Sequence, residues 1–228
     1  MKIDILNING EKTKTIELPE QFNELYRVDL MQRAVVAYQS SLRQPYGPSK
    51  EAGKRAVISN SKRRRAFRGV YGYGISRMPK KALSKKGSRI NWVGAFAPGT
   101  VSGRRAHPPK PEKGLVKKIN KKEKFKAIRS AISAAEKRVV ESSFENLVKT
   151  KDIKRVLQKL LNYQERKNKK GPLIVISKNC SLRTSLPGVD VCQLDKLNIQ
   201  MLTKGFLPRE SLWSEQAIEE LKNDKLYL

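Results

Sequence analysis

A basic segment rich in glycine and proline, residues 45–116, interrupts this chain and limits how it can fold. The segment holds eighteen lysines and arginines but only two carboxylates, those of Glu51 and Glu112. Its sparse apolar residues follow neither the period of a helix nor that of a strand. A segment of this composition buries too little apolar surface to offset the entropy lost on ordering. We therefore expect an external partner to order it, because a structureless loop of this length within a compact domain is otherwise improbable.

The flanking regions, residues 1–44 and 117–228, have patterns typical of a folded domain. Alternating isoleucines before Asn9-Gly10 predict an N-terminal β-hairpin that ends near Leu18. Apolar residues at helical spacing predict helices at 29–42, at 117–139 and at 153–163, with Asp29 as the N-cap of the first. A last helix is predicted at 210–222 with Ser211 near its start.

Two short apolar runs, residues 173–176 and 189–194, are typical of strands that are covered on both faces in a parallel sheet. Between and after them, residues 182–186 are a candidate short helix, and residues 197–202 fit either a helix or a strand. Alternating strands and helices predict an α/β fold. We predict a single sandwich domain with a mostly parallel central sheet, built from residues 1–44 and 117–228, with a long basic extended loop (45–116) inserted after the first helix.

The charge of the chain indicates its class of partner. Lysine and arginine number 49 against 21 acidic residues, a formal net charge of +28, which favours a dense polyanion such as nucleic acid. A membrane is not expected as a partner, because no apolar run reaches about 18 residues and the N-terminus lacks the pattern of a signal peptide. The basic residues are also not confined to one face of an amphipathic helix.

The sequence offers little for catalysis or metal binding. The one histidine, His107, stands before two prolines, and we interpret it as a stacking or phosphate-contacting residue. The stretch 47–55 approaches a phosphate-binding loop but has five residues between its glycines and arginine in place of the magnesium-binding serine or threonine. Cys180 and Cys192 lack the further ligands that a structural zinc site needs, and we expect two small buried residues in a reducing compartment. We predict no catalytic residue, no metal ligand and no enzyme.

Arginines and aromatic residues are interleaved along the basic segment. A guanidinium can hold a phosphate at two points, and an aromatic ring can stack on an unpaired base. We predict RNA contacts at Arg43, Tyr46, Lys54, Arg55, Lys62, Arg63, Arg64, Arg65, Arg68, Arg77, Lys80, Lys81, Arg89, Trp92, Arg104, Arg105, His107 and Lys110.

Three motifs in this segment resemble a known family: RQPYG at 43–47, AGKR at 52–55, and GRRAHPPK at 103–110 followed by Glu112 and Lys113. Together they are similar to the archaeal and eukaryotic branch of the large-subunit ribosomal protein four family, and the resemblance covers essentially the whole chain. Ser102 stands where the family usually has a second glycine, and residues 59–73 are more basic than is typical. The chain ends at Leu228 without the long extension of eukaryotic members, which we take to favour an archaeal-type member.

The resemblance implies a structural constituent of the large ribosomal subunit that is cytoplasmic, binds large-subunit rRNA and supports subunit assembly and translation. It implies a loop that threads into RNA on a stem formed by residues 43–55 and 104–110. Its tip, placed at 63–77, would help to line the nascent-peptide exit tunnel through Arg65, Phe67, Arg68, Tyr71, Tyr73 and Arg77. The implied partners are rRNA, neighbouring ribosomal proteins and the nascent peptide. We expect no cofactor, any structural magnesium or other ion being held through the rRNA.

Two other functions stay open from the residues. An RNA- or DNA-processing enzyme would need convergent polar groups at the carboxyl ends of the strands, and the sequence offers no acid pair or metal cluster to supply them. A free regulatory protein would bind an isolated RNA hairpin specifically. A basic run such as 62–65 also matches a nuclear localisation signal.

Overall fold

The computed structural model describes residues 1–67, 69–165, 169–180 and 182–227. Its elements are, in chain order, β1 (Lys2–Leu6), β2 (Lys12–Glu17), α1 (Val28–Ser41), β3 (Lys80–Lys86), β4 (Arg89–Gly94), α2 (Lys121–Ala134), β5 (Lys137–Val140), α3 (Thr150–Leu161), β6 (Leu173–Ile176), β7 (Asp190–Gln193), α4 (Ile199–Leu202), β8 (Thr203–Lys204), β9 (Leu207–Pro208), β10 (Ser211–Ser214) and α5 (Glu215–Asn223). Contacts divide the chain into two units. We call Met1–Arg43 with Val116–Leu228 the sheet unit, and Gln44–Leu115 the basic unit.

Six described strands form the main sheet of the sheet unit, in the order β2-β1-β5-β10-β6-β7. Only β2 runs antiparallel to its neighbour, and every other neighbouring pair is parallel. Trp213 of β10 lies at the centre, in register with Val139 of β5 on one side and Val175 of β6 on the other. The mixed α/β fold with a mostly parallel central sheet is thereby confirmed.

Both faces of this sheet are covered, as the continuous apolar runs predict. Leu173 and Val175 of β6 point into a core shared with α1, α2 and α5. The alternating residues Ile174 and Ile176 point into a second core, formed with the apolar stripe of α3. Successive side chains of a strand point to opposite faces, so a four-residue strand such as β6 serves both cores at once.

The N-terminal hairpin is confirmed. Gly10 has a φ of +90°, a conformation that glycine adopts without strain, and its N–H donates to the Asn7 carbonyl. The first helix is also confirmed, but its N-cap is not Asp29. The N-cap position is Arg27, which makes no capping bond through its side chain, and Asp29 instead forms a 2.5 Å ion pair with Arg27. Asp29 lies inside the first turn of α1, where its carboxylate pairs with the preceding guanidinium.

Two central strands occupy positions where helix was predicted. The second helix ends at Ala134, and Val139 belongs to β5 rather than continuing the helical stripe. The last helix begins at Glu215, because residues 211–214 form β10 and Ser214 is the N-cap. Both strands have only four residues and are joined to a helix with almost no connection. The two-residue alternation that marks a strand therefore cannot be distinguished within the longer helical pattern.

The shorter predictions between these elements have mixed outcomes. Residues 182–186 form neither helix nor strand. Residues 197–202 contain the short helix α4, and residues 189–194 contain β7 as predicted. Helix α3 begins three residues earlier than predicted, at Thr150, and the chain leaves it through Asn162 in the left-handed conformation.

The basic unit has secondary structure that its sequence pattern did not indicate. Strands β3 and β4 pair antiparallel as a hairpin, with Lys80 opposite Gly94 and Lys86 opposite Arg89. Among the described residues of this unit, only Val70, Lys80 and Ala95 are buried. The unit therefore has almost no apolar core of its own.

Candidate nucleic-acid interface

Glycines bring the two predicted stem segments of the basic unit into close contact. A Cβ atom at Gly53 would lie 2.4 Å from the backbone nitrogen of Arg104, and one at Gly47 would lie 2.9 Å from the carbonyl oxygen of Pro109. Real Cβ atoms do not approach other atoms so closely, and Gly53 also has a φ of +72°. Only glycine allows this contact, which places the motifs AGKR and GRRAHPPK against each other.

Hydrogen bonds to the backbone tie the middle of the basic unit to the start of β3. The Asn60 side chain accepts a 2.9 Å bond from the N–H of Lys80 and donates to the carbonyl of Met78. The Ser59 N–H donates to the Lys80 carbonyl, and the Lys80 ammonium donates to the backbone carbonyl and hydroxyl of Ser76. Lys80 was predicted to contact RNA, but its buried ammonium is used inside the unit.

The β3–β4 hairpin presents three exposed cations at its end: Lys85, Lys86 and Arg89. The two strands are joined by Gly87 and Ser88, and Gly87 has a φ of +59°. Glycine at the first position of a two-residue turn matches the right-handed twist of a hairpin. The result is a β-ribbon with positive charge at its tip.

A cleft of about 810 Å³ lies between the turn-rich segment 63–75 and the end of the hairpin. We call it the tip cleft. Its described lining is formed by Arg63, Arg64, Arg65, Ala66, Phe67, Gly69, Tyr71, Gly72, Tyr73, Ile75, Lys85, Gly87, Ser88, Ile90 and Trp92. These lining residues include four aromatic rings and four cations, and no carboxylate.

Cation–π contacts hold one of these rings in place. The Arg64 guanidinium carbon lies 5.1 Å from the centre of the Tyr71 ring, and that of Arg77 lies 5.9 Å from it. Both distances are within the range in which a cation is attracted to the face of a ring. A second open cavity, of about 700 Å³, is lined by Tyr46, Arg105, His107 and Lys110, with Glu112 also on its wall.

Most of the predicted contact residues are exposed: Arg43, Tyr46, Lys54, Arg55, Lys62, Arg63, Arg64, Arg65, Arg77, Arg89, Arg105, His107 and Lys110. Lys81, Trp92 and Arg104 are half-buried, and Lys80 is buried. Of the predicted tip residues, Phe67, Tyr71 and Tyr73 are exposed. Arg68 lies outside the described residues. Arg43 belongs to the sheet unit, and the others belong to the basic unit.

Sequence reasoning missed the residues that shape this surface. Asn60, which fixes the start of β3, and Ile75 and Ile90, which line the tip cleft, were not singled out. The dipeptide Gly87-Ser88 between two basic runs was the available sign of the hairpin, because glycine followed by serine is a turn signal between strands. Nothing local in the sequence indicates that segment 63–75 faces the hairpin.

Within the described parts of the chain, no group of three or more histidine, cysteine or acidic side chains could hold a metal ion. The cysteines Cys180 and Cys192 are free thiols, half-buried and buried respectively. No described helix has both the length and the apolar character needed to cross a membrane.

The sheet unit has a mostly parallel α/β sheet, and the basic unit has a cation-rich surface with aromatic rings. These features define a class of strongly basic α/β proteins. The ribosomal protein L4/L1 family matches residues 16–224 of the sequence. The chain therefore belongs to the ribosomal protein L4/L1 family, whose members are structural proteins rather than enzymes.

Archaeal relatives match over nearly their whole length. The large ribosomal subunit protein uL4 of Nanoarchaeum equitans is 36% identical over 267 aligned positions that cover 100% of both chains. Those of Archaeoglobus fulgidus and Methanocaldococcus jannaschii are each 34% identical, covering 97% of this chain and 98% of the relative. The resemblance to archaeal members that the motifs indicated is confirmed.

Proposed function

We propose that this chain is a structural component of the large ribosomal subunit, located with the ribosome in the cytoplasm, and that it binds large-subunit rRNA through the basic unit. The relatives at 34–36% identity are named as proteins of that subunit. Neighbouring ribosomal proteins are the expected partners of the sheet unit. Together these contacts would support subunit assembly and translation.

The observation that carries the proposal is the exposure of unneutralised positive charge on a unit with almost no core. Of the described basic side chains that were predicted to contact RNA in this unit, only Lys80 is buried. Within the described residues, the ion pair between Lys50 and Glu112 is 3.5 Å long and solvent-exposed, and such a pair contributes little. Phosphate groups would supply the counter-charges that the protein lacks.

The mechanism of binding is electrostatic and steric. Each phosphate neutralised by lysine or arginine releases condensed counterions, so the affinity of the free protein falls steeply with salt. Arginine adds a planar fork that can hold a phosphate at two points. A loop threaded between RNA helices would dissociate more slowly than this equilibrium implies.

The tip of the loop, residues 63–77, would help to line the nascent-peptide exit tunnel and contact the nascent peptide. Large exposed rings support this placement: Phe67 is 84% exposed and Tyr73 is 76% exposed. Two exposed aromatic rings within the same short segment are available to contact a structure that surrounds the loop.

The first test is sedimentation of a lysate of the source cells through a sucrose gradient at about 0.5 M salt, where the screening length falls to a few ångströms. We expect the chain to remain with the large subunit at close to one copy per particle. If the chain instead stays at the top of the gradient, it is not threaded into RNA and the structural role fails.

The tunnel assignment needs a separate test. Replacing residues 62–75 by a short glycine linker removes most of the tip but keeps the bonds of Asn60 and Ser76 to β3. We expect subunits that contain this variant to assemble and to have a wider tunnel in a cryo-EM map. An unchanged tunnel would mean that the tip lies elsewhere.

A further inference from the structure

We propose that the tip cleft binds one unstacked nucleotide of the RNA, with its base among the aromatic rings and its phosphate among the arginines. This inference rests on the proposed function, because it assumes that RNA surrounds the basic unit. It goes further by assigning the cleft a ligand of defined chemistry, a single nucleotide.

The first argument is size. A volume of about 810 Å³ lies within the range of cavities that hold one small ligand. An RNA double helix is far too wide for such a cleft. The nucleotide that occupies the cleft must therefore be flipped out of a helix or belong to a single strand. RNA-binding proteins commonly take up bases in this way, stacked on aromatic or arginine side chains.

The second argument is the arrangement of the rings. Tyr73 belongs to the turn-rich wall and is 76% exposed, whereas Trp92 belongs to the hairpin wall and is half-buried. Both walls therefore contribute an aromatic side chain to the lining of the cleft. Tyr71 is already held by Arg64 and Arg77, so part of the cleft is ordered before a ligand enters. Pre-ordering lowers the entropy cost of binding.

The third argument is charge. Arg63, Arg64 and Arg65 line one wall and Lys85 lines the other, with no carboxylate among the described lining residues. This lining complements the phosphate of a nucleotide. A nascent peptide is on average far less negative, and its main-chain carbonyl and N–H groups would need paired donors and acceptors. The cationic side chains of the cleft can donate hydrogen bonds to peptide carbonyls but cannot accept them from peptide N–H groups.

The fourth argument is the open backbone at Gly72. Its φ is +84°, and a Cβ atom placed there would meet nothing within 4 Å. Glycine is required by the conformation rather than by crowding within the protein. The exposed backbone leaves room for a phosphate or ribose to approach closely.

The test uses the full chain and the fluorescence of Trp92. The sequence has two tryptophans, and the other, Trp213, is 1% exposed in the core, so the Trp213→Phe variant leaves Trp92 as the reporter. Binding is compared for a single-stranded RNA of eight nucleotides and an abasic ribose-phosphate chain of equal length. We expect the RNA, but not the abasic chain, to quench Trp92 and to bind about tenfold more tightly.

Substitutions of Tyr73 test whether RNA binds in the tip cleft. Tyr73→Leu should weaken RNA binding about tenfold and leave the abasic chain unaffected, whereas Tyr73→Phe should retain binding. The matched control is Tyr26→Leu, because Tyr26 is 47% exposed but lies in the sheet unit. If Trp213→Phe does not fold, a Trp92→Phe variant of the natural chain gives the same information, since quenching should be absent from it.

The outcomes separate the two proposals. Equal binding of RNA and the abasic chain without quenching overturns the nucleotide site but leaves electrostatic RNA binding in place. If neither polymer binds, the proposed function fails and the inference fails with it. If an uncharged octapeptide quenches Trp92 as strongly as the RNA does, the cleft is a peptide site and the inference is overturned.

Discussion

At the scale of single residues, Arg209 is a buried cation that joins several backbone segments of the sheet unit. Its side chain is 1% exposed, and its N–H groups donate to five oxygen atoms: Gly171 O, Pro172 O, Gly188 O, Met201 O and Asp190 Oδ2. The bond to Asp190 is 2.6 Å long. A guanidinium can serve five acceptors that come from separate loops, whereas an ammonium has only three donors.

We predict that Arg209→Met lowers the free energy of unfolding by about 3–5 kcal/mol, because it leaves buried carbonyl groups without donors. Arg209→Lys should lower the free energy of unfolding by about 2 kcal/mol, because it keeps the charge but serves fewer acceptors. Urea unfolding followed by circular dichroism measures both. Arg138→Met is the control, since Arg138 forms an exposed 3.6 Å pair with Glu136 and should change stability by less than about 1 kcal/mol. Equal losses in the three variants would refute the role of Arg209.

Cys192 gives the sheet unit a dependence on alkaline pH. Burial, with a smaller contribution from Asp195, raises the pKa of the Cys192 thiol from 9.0 to about 11. The unfolded chain therefore releases this proton first as the pH rises. The stabilising contribution is complete below pH 9 and is lost progressively between pH 9 and pH 11.

When the pH is raised from 8 to 10.5, we expect the free energy of unfolding to fall by about 2 kcal/mol more in the natural chain than in Cys192→Ala. Tyr227, whose pKa is raised to about 12 by burial and, to a smaller extent, by the charge of Cys192, contributes to the loss in both chains, so the difference between them reports mainly on Cys192. Cys180→Ala is the control and should keep the full pH dependence. If Cys192→Ala shows the same loss as the natural chain, the buried thiol is not the titrating group.

At the scale of elements, the end of β10 is joined to its neighbours through one carboxylate. Glu145 accepts bonds from the hydroxyl of Ser214 at 2.5 Å and from the N–H and hydroxyl of Ser177, which follows β6. The Ser214 hydroxyl also accepts a 3.1 Å bond from the Ala217 N–H and so caps α5. This hydroxyl links a strand, a helix and a carboxylate.

Ser214→Ala should cost about 1–2 kcal/mol of stability, at the upper end for an N-cap because a partner of Glu145 is lost too. Thermal or urea unfolding would measure the change. Ser133→Ala is a suitable control, because the Ser133 hydroxyl donates to the Ser130 carbonyl one turn earlier in its own helix. Its stability should change by less than about 0.5 kcal/mol. A loss at Ser214 no larger than this would show that the cap is not important.

The β3–β4 hairpin should account for a measurable part of RNA affinity. Changing Lys85, Lys86 and Arg89 together to glutamine removes three exposed cations. If each meets one phosphate of a single strand, the slope of log affinity against log salt should become shallower by about two. The control replaces Lys14, Lys151 and Lys159, exposed cations of the sheet unit, and should leave the slope unchanged. An identical change in both triple variants would mean that only the net charge of the chain matters.

The long helices and the strands β6 and β7 could be predicted from the sequence because each buries a stripe or run with its own period. Strands β5 and β10 could not, since four residues beside a helix are too few to establish a period of two. In the candidate site, the sequence predicted the residue types but not the geometry. The closure of the tip cleft by the hairpin and the internal use of Lys80 depend on contacts between distant segments.

At the scale of the whole molecule, the alignment of the chain with an archaeal relative covers both sequences completely but contains gaps. The chain has 228 residues, whereas its alignment with the Nanoarchaeum equitans protein spans 267 positions. Residues have therefore been lost or gained between aligned segments while the family match extends from residue 16 to 224. Connecting segments tolerate such changes far better than strands of the central sheet.

The sheet unit should fold without the basic unit. The N–H of Lys117 donates a 2.9 Å bond to the hydroxyl of Ser40, so the chain leaves and re-enters the sheet unit at neighbouring points. A linker of about six glycine and serine residues in place of 44–115 can span such a gap, since each residue reaches roughly 3.5 Å. The cores on both faces of the main sheet consist of residues from the sheet unit, so this replacement removes none of their side chains.

We expect the shortened chain to unfold cooperatively with a midpoint in urea close to that of the full chain, and to lose most of its affinity for RNA. Circular dichroism would follow unfolding, and fluorescence anisotropy would follow binding of a labelled rRNA fragment. A chain of equal length in which residues 44–115 are kept but their lysines and arginines are changed to glutamine separates charge from shape. Its binding should be as weak as that of the shortened chain, because phosphate contacts supply most of the affinity. RNA binding that survives in the shortened chain would instead place the main interface on the sheet unit.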